Sequence, residues 1–396
     1  MSCKAFTNAI IYTMEGEVLT NAALIWENER IIAVGNDLKF PRGTEKIDAE
    51  GKTIIPGLID AHTHIGILEE IYKTEGNDAN EYSDPLTPQM RALDAVNPFD
   101  LAFKDALSGG VTAVMTGPGS SNVIGGLPLV MKTAGAELKK MVLSEQAGLK
   151  VSFGENPKRM FGKKMKQPVT RMAIAALLRQ AFVDAGVYAQ RRIEANAENK
   201  IFERKLGLEA LADVLEKKMP LRAHAHRADD ILTAIRIAEE FNVDIIIEHG
   251  TEGHKLIDVL KERGIPVIFG PTFSNRAKVE MAEIAWHSAA LLNEGGVLIA
   301  LTTDHSVTPI QYLPLCAAFA AKNGLDEMEA LKAITINPAK ILRLEKRIGS
   351  LAPGKDADFV VMTGHPLDWR TNIENVYVNG EKAYERKKLA YIEVKR

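Results

Sequence analysis

The chain has 396 residues, 46% hydrophobic and 26% charged, enough for one large domain with a smaller second one. Its formal net charge of -3 gives no sign of a clustered basic surface, so we expect no nucleic-acid partner. The two cysteines, Cys3 and Cys316, are too few for a disulfide framework or a cysteine-based metal site, which favours a cytoplasmic location. The start, MSCKAFTNAI, lacks a signal-peptide pattern, and no run of about 18 apolar residues predicts a membrane span.

Short apolar, β-branched runs open the chain and predict strands. These runs are AIIYTM, AALIWE and RIIAVG, separated by polar turns such as ENER at 27–30. Similar runs return after about residue 348 as ADFVVMT, IENVYVNGEKAYE and LAYIEV, with Asn379-Gly380 as a hairpin turn. We therefore predict that residues 1–56 and 348–396 pair into one small composite β-sandwich.

Between residues 57 and 347, short apolar runs alternate with helical stretches. Eight runs predict strands: GLIDAHTH, GVTAVMT, LPLVMK, LKVSFGE, PLRAHAH, VDIIIEH, IPVIFG and VLIALTTD, of which the third fits least well. Strands that alternate with helices indicate parallel pairing through right-handed crossovers, and eight of them predict an α/β fold of the (β/α)8 TIM-barrel type. Residues 170–218 hold few Gly or Pro and predict two or more helices inserted after the fourth strand.

Ionisable side chains end several of these predicted strands. His62 and His64 are two residues apart and therefore point to the same face of the first strand. Active sites of α/β barrels lie at the C-terminal ends of the strands. Later strands end in the same way, with Glu155, His224, His226, His249 and Asp304. Imidazole and carboxylate suit zinc and similar ions, so we predict a divalent-metal site with one or two ions, zinc being expected.

Such a site predicts hydrolytic chemistry. A divalent ion polarises a carbonyl and lowers the pKa of bound water to about 7. A carboxylate that touches both metal and water can take the water's proton and pass it to a leaving nitrogen, and we assign this role to Asp304. Asp304 and His249 form the predicted catalytic pair. Two ions would need a bridging ligand, for which Glu155 is our candidate.

Four further residues are predicted to bind substrate. Asn122 lies in a Gly-rich loop after the second strand, and Arg159, shortly after the fourth strand, could bind a substrate carboxylate through two hydrogen bonds. His226 shares a face with the fifth-strand histidine, and His305 follows the eighth-strand aspartate. A purely structural role stays open for each of them. Asp60, one step deeper on the first strand, either is structural or orients a ligand.

Three segments resemble the amidohydrolase superfamily. IIPGLIDAHTHIG is similar to its first-strand signature, LTTDHSVTP to its last-strand aspartate motif, and AITINPAKILRLEKRIGSLAPGKDADFVVM to its C-terminal passage into the β-sandwich. Together with mid-chain histidines, these segments extend the resemblance over nearly the whole chain. SSNVIGGLPLVMK and GENPKRMFG further resemble the imidazolonepropionase-related branch, which includes dipeptidases acting on Xaa-Pro or Xaa-Arg/Lys substrates.

The resemblance implies a set of metal ligands, namely His62, His64, His224, His249 and Asp304. On the fourth strand many members use a carboxylated lysine or a glutamate as the bridge. Lys150 begins that strand, which predicts a place at the wrong end of the barrel, so Glu155 is preferred and a carboxylated lysine, Lys150 or Lys158, is the alternative. After HTHIG we find no counterpart of the substrate-binding arginine passage of true imidazolonepropionases, which argues against that particular reaction.

We therefore predict a metal-dependent hydrolase of an amide-type C–N bond in a small molecule such as a dipeptide, an N-acyl amino acid or a cyclic amide. Two alternatives stay open. The same ligands suit a heterocycle deaminase or a lactone hydrolase. Some barrels of this family have lost metal and act as binding proteins, although this chain keeps the complete ligand set. A homo-oligomer is possible, and no sequence feature identifies an interface.

Overall fold

The structure is a computed structural model that describes residues 3–135 and 137–387. Its strands are β1 Cys3–Ile11, β2 Leu19–Glu27, β3 Arg30–Gly35, β4 Glu45–Asp48, β5 Thr53–Pro56, β6 Leu58–Thr63, β7 Val111–Thr116, β8 Ile124–Gly126, β9 Leu129–Lys132, β10 Val142–Ser144, β11 Leu149–Ser152, β12 Leu221–Ala225, β13 Ile245–His249, β14 Val267–Phe269, β15 Ile299–Leu301, β16 Phe359–Met362, β17 Ile373–Val378 and β18 Glu381–Glu385. Its α-helices are α1 Leu101–Ser108, α2 Leu138–Met141, α3 Glu155–Gly162, α4 Arg171–Ala197, α5 Leu206–Leu215, α6 Ala228–Glu240, α7 Ile257–Glu262, α8 His287–Glu294, α9 Leu313–Lys322, α10 Glu327–Lys332 and α11 Ile336–Ile341.

Both ends of the chain contribute to one sheet. Its strands follow the order β18-β17-β16-β5-β1-β2-β3, with β4 beside β1. The two ends meet where β5 pairs antiparallel with β16, Ile55 opposite Val360. Phe6, Trp26 and Phe359 pack together on a buried face of this sheet. The predicted pairing of the termini is confirmed as one sheet, whereas a sandwich and its domain boundaries stay predictions; the segment LAYIEV lies outside the described residues.

Parallel strands occupy the middle of the chain. β6 pairs parallel with β7, and β11 to β15 form a continuous parallel series. The predicted alternation is confirmed for these seven strands. The third predicted strand is wrong as a parallel strand, because β9 runs antiparallel to β7. No helix lies between β7 and β9 in the described chain, and a parallel return needs a crossover of a dozen or more residues, usually a helix.

The first and last parallel strands lie side by side. The backbone N–H of His64 donates to the carbonyl of His305 at 3.0 Å. The hydroxyl groups of Thr302 and Thr303 donate to the carboxylate of Asp60 at 2.7 and 2.6 Å. These contacts bring together chain segments about 240 residues apart and place their C-terminal ends around one cavity.

Helices α3 to α5 are inserted between β11 and β12, which confirms the predicted helical insertion. The hydroxyl of Thr170 accepts a hydrogen bond from the N–H of Ala173 and caps the long helix α4. Ile174, Leu178 and Phe182 recur at helical spacing and are buried in the main core. Among the described helices, α4 alone has the length and apolar composition to cross a membrane, and its buried face packs like that of a core helix.

A buried cation fixes the terminal sheet to the parallel strands. Lys132, at the end of β9, is 1% exposed and lies 2.9 Å from Asp356. It also contacts Asp358, just before β16. Asp356 also contacts Arg30 and Arg347 from the solvent side, whereas Lys132 is the one cation paired with Asp358 among the described residues.

Replacement of Lys132 by methionine is expected to lower the free energy of unfolding by about 3–5 kcal/mol, because it leaves the buried carboxylate of Asp358 without a cation. Urea denaturation followed by circular dichroism measures this change. Lys140→Met is the matched control, since Lys140 pairs with Glu137 at the surface and should leave the midpoint unchanged. Equal midpoints for the two variants would contradict the role given to Lys132.

Candidate metal centre

Five imidazoles and one carboxylate converge where the parallel strands end. They surround a cavity of about 480 Å³ and come from β6, β12, β13 and the segment after β15: His62, His64, His224, His226, His249 and Asp304. The backbones of His249 and Asp304 adopt left-handed conformations, with φ of 74° and 50°. Such conformations are costly for residues other than glycine and are found often at functional sites. His249 is the last residue of β13 and Asp304 follows β15 by three residues, and both side chains line the cavity.

The side chains form two groups, each compact enough to hold one ion. In the first group, Nε2 of His62 and Nε2 of His64 lie 3.3 and 3.4 Å from Oδ1 of Asp304. The second group comprises His224, His226 and His249. The rings of His224 and His249 have centroids 4.4 Å apart, so the group is tightly packed.

Hydrogen bonds to Nδ1 orient several of these rings. Nδ1 of His64 donates to the carbonyl of Gly117 at 2.7 Å, and Nδ1 of His249 donates to the carbonyl of Gly270 at 2.7 Å. Nδ1 of His226 lies 2.8 Å from the hydroxyl of Thr251. A proton held on Nδ1 leaves the lone pair of Nε2 free for a metal, as ligating histidines require.

The electrostatic environment gives the donors suitable protonation states. Burial holds the pKa of His224, His226 and His249 well below the ordinary value, so all three rings are neutral near pH 7. Burial alone would raise the pKa of Asp304, but nearby imidazoles outweigh it and hold that pKa well below its usual range. Neutral imidazoles and an ionised carboxylate are the forms that bind divalent ions, so the residues present fit such an ion.

Glu248 lies directly beneath this site and was missed by sequence reasoning. It is fully buried, accepts a hydrogen bond from Nε of Arg222 at 2.8 Å and contacts the ammonium group of Lys150. Its Oε1 lies 3.0 Å from Nδ1 of His62, at an angle unfavourable for a hydrogen bond. Burial disfavours a charged His62 ring, yet the carboxylates of Glu248 and Asp304 outweigh it and raise the pKa of His62. Only the position of Glu248 next to His249 could have drawn attention to it.

Lys150 corrects one prediction. We expected it at the wrong end of the barrel, because it begins the fourth predicted strand. In the structure it stands two residues before Ser152, the partner of His224 in the neighbouring strand. The structure instead places Lys150 in the lining of the cavity, together with both groups of donors. A lysine side chain is long enough to span the rise of two strand residues, about 6.6 Å, which the position of its Cα alone does not reveal.

Glu155 is not brought into either group of donors. It is the first residue of α3, and the preceding Gly154 has φ of 81°, so the chain turns away before the carboxylate could enter the cavity. The backbone N–H of Glu155, rather than its side chain, points inward and donates to Glu280 at 2.9 Å. The preference for Glu155 over a lysine therefore has no geometric support.

The four predicted substrate contacts divide into one that lines the cavity and three that do not. His226 lines the cavity and belongs to the second group. Asn122 is buried under the loop and donates to the carbonyls of Glu81 and Asp84. Arg159 is exposed on α3 and does not line the cavity. His305 points away, since its Nδ1 accepts from the backbone N–H of Ile310 at 3.2 Å.

Donors of this kind at the ends of parallel strands are typical of metal-binding enzymes built on α/β barrels. The sequence matches the model of the amidohydrolase family over residues 53–383. The chain therefore belongs to the amidohydrolase family, whose members have a TIM-barrel-like α/β fold, and it is a hydrolase of C–N bonds.

Individual relatives agree with this assignment. The amidohydrolase of Thermotoga maritima MSB8 has a crystal structure with a TM-score of 0.94 and 44% sequence identity, covering 97% of this chain and 100% of that one. Amidohydrolase tasK of Hapsidospora irregularis is 28% identical over 394 residues, 93% of this chain but only 40% of the length of tasK. The imidazolonepropionase of Streptomyces avermitilis is 23% identical over 363 residues, 87% of this chain and 81% of that protein. The predicted imidazolonepropionase-related branch is thus confirmed.

His226 and His305 provide a direct comparison, because sequence analysis gave both of them the same role. Added zinc should raise the melting temperature of the wild-type protein, since an ion that binds only the folded state stabilises it. His226→Gln should reduce this increase, whereas His305→Gln should retain it when each variant is compared with its own metal-free form. Differential scanning calorimetry measures the shift, and an equal reduction in both variants would contradict the different positions of the two rings.

Proposed function

We propose that the protein hydrolyses an amide-type C–N bond of a small molecule at a centre of divalent ions, zinc being the expected metal. The observation that carries this proposal is the presence of two compact donor groups around a single cavity. The cavity of about 480 Å³ falls in the range of small-molecule sites and suits a dipeptide, an N-acyl amino acid or a cyclic amide.

Bound divalent ions supply Lewis acidity and lower the pKa of water at the site to about 7. The residues of the chain orient the reactants and move protons. Asp304 is ionised and lies between His62 and His64, so one of its carboxylate oxygens can accept a proton from the attacking water. The same oxygen then returns the proton to the leaving nitrogen. We assign His249 to this catalytic set because its ring, fixed by Gly270, borders the cavity beside Asp304.

Lys150, after carboxylation, is our proposed bridge between the two ions. Burial lowers the pKa of its ammonium group, which favours the neutral amine that adds to carbon dioxide. In that reaction the nitrogen of the neutral amine forms a bond to the carbon of carbon dioxide, one proton is released, and the product is a carbamate with one negative charge. Lys150 lines the cavity that both donor groups share.

A heterocycle deaminase is the second candidate. The same donors would activate water for attack on a ring carbon, with ammonia as the product. No particular contact in the cavity favours a ring substrate over an open-chain amide, so the substrate screen has to separate these reactions.

Removal of metal by a chelator is expected to abolish hydrolysis, because water at the site then lacks the Lewis acid that lowers its pKa, and added zinc should restore it. The screen would cover dipeptides, N-acyl amino acids and cyclic amides, with lactones and ammonia release from heterocycles measured in parallel. Full activity in protein shown by elemental analysis to be metal-free would contradict the proposal. Ammonia release confined to the heterocycles would favour the deaminase.

Lys150→Ala is expected to lower the metal content from about two ions per chain to about one, because a bridging ligand serves both ions. Glu155→Ala is the matched control and should keep the wild-type content. Elemental analysis of proteins reconstituted with zinc and bicarbonate measures both. Loss of an ion from Glu155→Ala with retention in Lys150→Ala would return the bridge to Glu155.

A further inference from the structure

Glu280 is a buried carboxylate next to the second donor group, and the reaction described above does not use it. It lies on a short 3-10 turn, Val279–Met281, between β14 and α8, and is 2% exposed. Its Oε1 lies 3.8 Å from Nε2 of His224 and 3.9 Å from Nε2 of His226. Among the described residues this oxygen has no hydrogen-bond partner. A buried polar atom without a partner is costly and calls for an explanation.

The surrounding chain is shaped to hold this carboxylate in place. Oε2 accepts a hydrogen bond of 2.9 Å from the backbone N–H of Glu155 at the start of α3. The preceding residue is Gly154, and a Cβ atom added there would lie only 2.7 Å from Oε2. One oxygen is therefore fixed by the backbone, and the other is directed at the imidazoles of His224 and His226.

We propose that Oε1 of Glu280 is a further protein ligand of the divalent ion held by His224, His226 and His249, beside the bridge proposed for Lys150, an inference that rests on the proposed function. With metal–ligand bonds of about 2.0–2.2 Å, neighbouring ligand atoms of such an ion lie roughly 3.0–3.5 Å apart. The observed 3.8 and 3.9 Å leave room for an ion and need only a small inward shift.

Charge supports the same assignment. The first group includes the carboxylate of Asp304, whereas the second group offers three imidazoles and no anion of its own. Glu280 supplies that anion. Lys278 is the competing explanation, because its Nζ lies 3.5 Å from Oε1, beyond ordinary hydrogen-bond distance and with a side chain 21% exposed. The two explanations predict different effects of mutation.

The zinc affinity of the metal-free protein distinguishes a Glu280 that binds the ion from a Glu280 that only pairs with Lys278. Competition with a chromophoric chelator measures this affinity. Glu280→Gln preserves the size of the side chain and should weaken one zinc-binding step by at least about tenfold, with the other step unchanged. His64→Gln should weaken the other step and so identifies the first group. Lys278→Met should leave zinc affinity unchanged or raise it, because it removes a cation beside the ligand. Equal affinity in Glu280→Gln and wild type, or loss only in Lys278→Met, would overturn the proposal.

The position of the ion gives a second test that does not depend on the folding of a variant. Zinc-edge anomalous diffraction from wild-type crystals should place an ion about 2.0–2.2 Å from Oε1 of Glu280. An ion bound by the three imidazoles but more than about 3 Å from Oε1 would overturn the role of Glu280 and leave the proposed function intact. Zinc bound at the first group alone would have the same two consequences. Failure of the wild-type protein to bind any divalent ion would instead overturn the proposed function.

Discussion

The carboxylate of Asp60 joins the first and last parallel strands, and the candidate metal centre lies at the ends of the strands that it joins. Its two oxygens accept hydrogen bonds from both threonine hydroxyls of Thr302 and Thr303 and from the backbone N–H of Thr303. Burial raises the pKa of Asp60, so its ionised form depends on these donors. His62 and His64 follow Asp60 on one side of the junction, and Asp304 follows the threonines on the other. This contact therefore helps to align the two strand ends that carry the first donor group.

A second buried carboxylate, that of Glu248, contacts side chains from three other strands directly beneath the imidazoles. Glu248 belongs to β13, and its partners Lys150 and Arg222 belong to the two preceding strands of the parallel series, while His62 faces it from β6. Burial would raise the pKa of Glu248, but the facing cations hold it well below its usual range. Carboxylation of Lys150 would replace its amine by an anion, and an anion in the cavity favours the binding of divalent ions, which links the proposed bridge to the charge of the site.

Much of this architecture could be predicted from local sequence. The two-residue spacing of His62 and His64, and the recurrence of ionisable residues after apolar runs, follow from strand geometry alone. The predictions failed where closeness to a strand end in the sequence did not correspond to closeness to the cavity in the structure. Glu155 follows its strand closely, but the positive φ of Gly154 turns it away. The Cα of Lys150 lies too early in its strand to suggest a place at the cavity, yet its side chain lines the cavity. Glu280, 125 residues after Glu155, reaches the site through a loop whose path no periodic pattern reveals.

Two different parts of the chain line the cavity. The strand ends supply the donors, which account for hydrolytic chemistry in general. The loops supply other lining residues, including Asn77, Tyr82, Ser121 and Lys278, and these can contact the substrate. Lys278 is the one cation of the described cavity lining that is partly exposed to solvent, so it can contact a substrate carboxylate as well as Glu280. A dipeptide or an N-acyl amino acid carries such a carboxylate and a neutral cyclic amide does not. Under the proposed function, the charge of Lys278 would therefore favour substrates that carry a carboxylate over neutral cyclic amides, on grounds independent of the metal.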